Sequence, residues 1–211
     1  MKTLLTILSI IISFSPCNLI AQQIEVNKVK IGNNYKIELK YQNGDTVLFT
    51  SRAGCDVREF TYLSESIKIK AIEELLKFEE DTSLSEFEVT LYNTGYFKSE
   101  KPKQKLYNLQ VDALFYINYL ALSSSALFYS PYPLLYDKER KKEIGTDYQE
   151  IKNVFDIYKN WLSKVKKCGF ANYSYPLVDS KYVWFGSIDK KITFKKYPYW
   201  EKDDGCKYYE D

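Results

Sequence analysis

The chain has 211 residues, 45% of them hydrophobic and 27% charged, with a formal net charge of +2. These proportions belong to a folded protein, and so small an excess of positive charge excludes electrostatic capture of nucleic acid as the basis of function. Histidine is absent, which removes Ser-His-Asp and Cys-His nucleophilic systems, imidazole general bases and every histidine-containing zinc site.

The first element in chain order is an address. Lys2 gives a positive start, Leu4 to Phe14 form a short apolar run broken only by Thr6, Ser9 and Ser13, and Ala21 is a small residue ahead of Gln22 and Gln23. This reads as a secretory signal peptide over residues 1–21, with a mature α+β domain over 22–211. The run is too short to span a bilayer comfortably, since that takes about 20 apolar residues. Leu19 is larger than the residue preferred three positions before a cut. Cys17 offers a competing lipoprotein anchor, disfavoured by Pro16 in front of it. The expected location is outside the cytoplasm: periplasmic, cell-surface or secreted, in a bacterial envelope.

An N-terminal antiparallel β-meander should follow. Tyr35, Ile37, Leu39 and Tyr41 alternate with Lys36, Glu38 and Lys40, the period of a strand with one apolar face. Asn43-Gly44 predicts a type I′ turn into the strand Thr46 to Thr50. With that loop Tyr41 faces Thr46 and Leu39 faces Leu48, while Val47 and Phe49 make the second strand apolar on both sides and interior. Ile24 to Ile31 precede it across Gly32-Asn33-Asn34. Ser64 predicts a helix cap, with the helix running to Glu80 on Lys68, Ala71, Ile72, Leu75 and Phe78 or Glu79. The acidic neighbours Glu73-Glu74 and Glu79-Glu80-Asp81 point to different faces of such a helix and read as solvation, not as an acid/base dyad. Phe87, Val89 and Leu91 alternate as a further strand, and Lys98 to Lys105 reads as a solvated loop.

From Ala113 to Tyr136 no residue is charged, long enough to raise a transmembrane alternative. Asp112, Asn118, Ser123 to Ser125, Ser130, Pro131 and Pro133 argue instead for a buried helix within Leu106 to Tyr129, with Asn118 hydrogen-bonded in the core. Thr146 and Gln149 predict a capping box for a third helix. Its stripe is Ile151, Val154, Phe155, Tyr158, Trp161, Leu162 and Val165, with Lys164, Lys166 and Lys167 near its end and Gly169 as its stop. Trp161 lies on that stripe and reads as core. Tyr182 to Phe185 and, more weakly, Ile192 to Phe194 read as short C-terminal strands rejoining the first sheet.

The chemistry left open is narrow. Cys55, Cys168 and Cys206 form no Cys-x-x-Cys pair, so no four-cysteine zinc site or dithiol motif is available; export would permit one disulfide, with Cys168 and Cys206 the favoured pair. Asp203-Asp204-Gly205 lacks the ligand spacing of a calcium loop and reads as a turn. Twenty tyrosines and twelve phenylalanines are mostly core material, though Tyr129-Ser130-Pro131-Tyr132-Pro133 and Tyr173-Ser174-Tyr175-Pro176 are candidate rims. No cofactor, metal or catalytic residue is singled out. The leading expectation is a non-enzymatic exported protein binding a partner protein or glycan of the cell envelope; the alternative is a small histidine-free glycan hydrolase using paired carboxylates.

Overall fold

A computed structural model describes residues 22–50, 60, 62–89, 106–122, 126–172 and 175–187, with α+β architecture. Strand β1 (Gln23–Ile31) pairs antiparallel along its whole length with β2 (Asn34–Asn43), and β2 continues antiparallel into β3 (Thr46–Thr50). Alternation does the work the sequence suggests: Ile37, Leu39 and Tyr41 are buried, and the lysines and glutamate between them form the other face.

The second hairpin departs from expectation in register and turn. Asn43 pairs with Thr46 and Tyr41 with Leu48, so the loop is Gly44-Asp45 and not Asn43-Gly44. Gly44 has φ of 59° whereas Asp45 is not among the residues of positive φ. Glycine alone at the first loop position is the pattern of a type II′ turn. The two-residue shift preserves the faces, because side chains alternate with period two. It does not make β3 interior: β3 pairs only β2 among the described residues, and Val47 is 51% exposed.

Helix α1 (Glu65–Leu75) continues as a 3-10 turn over Leu76–Glu80, a tighter ending than the single helix expected from Ser64 to Glu80. Ser64 sits at the cap position, but its hydroxyl meets that of Ser66 and makes no cap hydrogen bond. Ile67, Ala71, Ile72 and Leu75 bury one face. The chain then returns as β4 (Leu84–Glu88), which pairs parallel with β2 at Tyr35 and Ser85 and antiparallel with β5 (Leu106–Asn108). The first sheet is thus antiparallel with one parallel neighbour, because a helix-bearing crossover separates β2 from β4.

The uncharged stretch divides. Leu106–Asn108 is strand, α2 runs Leu109–Leu122, and a single turn, α3, covers Ala126–Tyr129. Every residue of α2 except Ala121 is buried. No described helix is long and apolar enough to cross a membrane. The last long helix, α4 (Tyr148–Cys168), buries the stripe read from its periodicity, including Trp161. Its N-cap is Asp147, one residue on from the Thr146 expected, and its carboxylate accepts the N–H of Glu150 at 3.3 Å; no capping box closes, because the Asp147 N–H bonds to the Ile144 carbonyl. Gly169 stops it with φ of 79°.

The C-terminal strand does not rejoin the first sheet. Strand β6 (Leu135–Asp137) lies between β7 (Lys142–Glu143) and β8 (Tyr182–Trp184) in a separate antiparallel sheet. The segment 135–143 contributes the two strands that β8 needs, and its lysine-rich turn concealed them. Both sheets and the helices share one core. Leu91, Lys98 to Lys105, Ile192 to Phe194, Asp203 to Gly205, Cys55, Cys206 and all of 1–21 lie outside the described residues.

Candidate functional site

The second sheet and the start of α4 build a charge cluster that adjacent-residue reasoning did not find. Asp137 ends β6, and its carboxylate accepts the backbone N–H groups of Glu139 and Arg140 at 2.9 and 3.0 Å, the mark of a turn closed by its own first residue. Glu150 enters from the first turn of α4. Lys181, leading into β8, places its ammonium 3.2 Å from Asp137 Oδ2 and 3.0 Å from Glu150 Oε2. Arg140 reaches Glu150 Oε1 at 2.6 Å, and the Tyr182 hydroxyl donates to Glu150 Oε2 while accepting from Asn153 at 3.2 Å. Three elements distant in sequence are joined by one cation between two carboxylates.

Electrostatics define what this cluster can do. Backbone N–H donors and Lys181 hold the Asp137 carboxyl below its ordinary range, and the Tyr182 hydroxyl with Lys181 does the same for Glu150. Hydrogen bonding to Glu150 and Asp137 keeps Lys181 protonated, and burial together with Glu150 raises Tyr182. Neither carboxyl is set to donate a proton near neutrality. The stability these two carboxylates supply is therefore complete above the ordinary carboxylate range and lost as pH falls through their lowered values. Lys181→Met should lower the neutral-pH thermal midpoint and flatten its fall on acidification; a variant whose midpoint tracks the parent at every pH would show that the cluster contributes nothing.

Beside the cluster runs a groove of about 530 Å³ between α4 and residues 175–182. Trp161, Tyr175 and Tyr182 give it an aromatic floor, and Asn160, Lys164 and Asp179 stand on its rim. Lys164 and Asp179 have no ion-pair partner among the described residues. Trp161 is only 7% exposed, so it offers the groove an edge while Tyr158 and Phe170 cover the rest of the ring.

Behind the floor lies a buried polar knot. The Tyr158 hydroxyl donates to Asn118 Oδ1 at 2.7 Å and accepts from Trp184 Nε1 at 3.2 Å. Tyr175 buries its hydroxyl near Tyr158 and Asn118 with no hydrogen-bond partner among the described residues, and its ring stacks on Tyr129 at 4.8 Å. Burial raises both Tyr158 and Tyr175, so both stay neutral. Asn118 is thus a core amide, as its setting in an apolar helix implied. Of the aromatic rims, Tyr129 and Tyr132 are buried, Tyr175 joins the groove, and Tyr173 and Ser174 lie outside the described residues.

Two further acids are isolated. Asp112 in α2 is wholly buried; the Tyr107 hydroxyl approaches Oδ1 at 3.4 Å, and Oδ2 has no partner among the described residues. Burial pushes its pKa up to about 7. Glu143, half-buried opposite Tyr136, is raised by the same cause. Neither lines the groove. Cys168 is disulfide-bonded, and the other cysteines lie outside the described residues. Comparison with protein-family models, with curated proteins and with solved structures finds no match for this chain.

Proposed function

We propose that this is an exported, non-enzymatic protein that binds a partner protein or glycan of the cell envelope through the groove between α4 and residues 175–182. The observation that carries the reading is the contrast between the two neighbouring features. In the cluster every charge is matched, whereas Lys164, Asp179 and the Asn160 amide, which line the groove with three aromatic rings, have no side-chain partner among the described residues. Unpaired rim charges set encounter and orientation, and buried aromatic edges supply contact area. Export is supported by Lys2, the Leu4 to Phe14 run and Ala21, and by a disulfide at Cys168, a bond that persists in oxidising compartments. Glycan hydrolysis needs one carboxyl held protonated beside an ionised one, and Asp137 and Glu150 are both drawn toward the ionised form.

The test starts from protein isolated from its host, expected in the envelope or medium with Gln22 at its N-terminus. A partner crosslinked to this form should be lost on Lys164→Glu and on Asp179→Lys, with the fold unchanged by circular dichroism. Charge reversal that leaves capture intact removes the groove from the reading. Turnover of a glycan by the purified chain, abolished by replacing one acid, removes the binding function itself.

A further inference from the structure

We propose that strand β1 is a self-pairing edge, through which two copies of the chain join antiparallel about a two-fold axis at Asn27. The two-residue loop Gly32-Asn33 makes Ile31 and Asn34 a hydrogen-bonded pair, so the odd-numbered residues of β1 bond to β2. The N–H and C=O groups of Ile24, Val26, Lys28 and Lys30 therefore point away from the sheet. No backbone bond from these four goes to any other described element. This is a nine-residue edge with no proline and an unbroken register against β2. Long regular edges without such interruptions are templates for another strand.

A second copy fits that edge by its own sequence. Antiparallel pairing through the outward groups must oppose even-numbered residues, and centring on Asn27 uses the full strand. Val26 then faces the partner's Lys28, Ile24 the partner's Lys30, and Glu25 the partner's Val29. The residue opposite itself is the uncharged Asn27, so no like charges meet across the axis. Moving the centre to Lys28 would set two lysines face to face.

An inward-pointing lysine on an edge strand ordinarily discourages pairing. Lys28 is already committed: its ammonium lies 2.8 Å from Asp81 Oδ2 and 2.8 Å from Ser83 Oγ, and 4.2 Å above the Tyr35 ring. Its charge is neutralised within its own copy, leaving the stem to lie beside the partner's Val26.

Sedimentation of the full chain across a concentration series is the experiment. The parent should show a reversible monomer–dimer equilibrium. Val26→Pro removes an outward N–H and no β1–β2 bond, so it should give a folded monomer. Asn27→Asp alters an exposed residue and places two carboxylates across the axis; it should weaken the dimer about fivefold at low salt, with recovery at high salt. If Val26→Pro does not fold, the salt dependence of Asn27→Asp decides. A parent that stays monomeric up to its solubility limit overturns the proposal, as does a dimer that neither folded variant weakens.

Discussion

Asp112→Asn should raise the thermal midpoint at about pH 8 and lower it at about pH 3, where the parent carboxyl is already neutral. The buried carboxyl titrates near 7 in the folded chain against an ordinary 3.8. A raised value means that folding favours the protonated acid. That preference is fully present below 3.8 and lost as pH rises through about 7, above which the folded state carries an ionised group in a dry site. At about 1.4 kcal/mol for each pKa unit, the penalty above neutrality is about 4 kcal/mol. An amide carries no charge to desolvate, but leaves N–H donors in a site poor in acceptors, which costs about 1 to 3 kcal/mol. The net gain near pH 8 is about 2 kcal/mol by this difference. Unfolding curves for parent and variant that run parallel from acid to alkaline pH would contradict the assignment. The pH profile of the parent is then a contest between opposite slopes: Asp112 favours acid, while Asp137 and Glu150 favour neutrality.

The largest loss is expected from Trp184→Ala, about 3 to 5 kcal/mol by denaturant unfolding. Trp184 is 1% exposed, packs on Phe115 of α2 at 5.6 Å, and donates to Tyr158 of α4. It is the ring that fastens the second sheet to both helices. Trp184→Phe keeps most of the packing and removes the hydrogen bond that the Tyr158 hydroxyl accepts, leaving the one it donates to Asn118, so it should cost about 1 to 2 kcal/mol. An alanine variant within about 1 kcal/mol of the parent would show that β8 contributes little to the core.

Which parts of this were legible beforehand follows from the range of the forces involved. The β1–β2–β3 meander and the buried stripe of α4 could be read because alternation and three-to-four spacing are local signals of burial. Asn118 was readable for a related reason: a lone amide in an apolar helix needs a partner. Local signals failed where a neighbour in space made the decision. The shift from Asn43-Gly44 to Gly44-Asp45 exchanges two nearly equivalent glycine turns, which chain propensity does not separate. Short β6 and β7 are strands only because β8 arrives from some forty residues on, and Asp137-Lys-Glu-Arg-Lys-Lys looks like a solvated charge run until Glu150 and Lys181 close on it. The cluster left one trace, Asp147 with Glu150 three residues later, in the spacing of a capping box. The same carboxylate is turned instead to Arg140, Lys181 and Tyr182.

The connection from β2 to β4 bears on how the chain is made. Tyr35 at the start of β2 meets Ser85, about fifty residues later, only after α1 has been laid down between them. At roughly 5 to 20 residues per second of synthesis, that edge of β2 stays open for seconds. The wait lengthens toward the end: Trp184, which seals α2 against α4, is in the last described strand to emerge from the ribosome. A nascent chain so arranged has no finished core to lock until Trp184 has been added, and contacts this remote in sequence close slowly once they can. On the export proposed above, late closure keeps the chain threadable through a translocation channel.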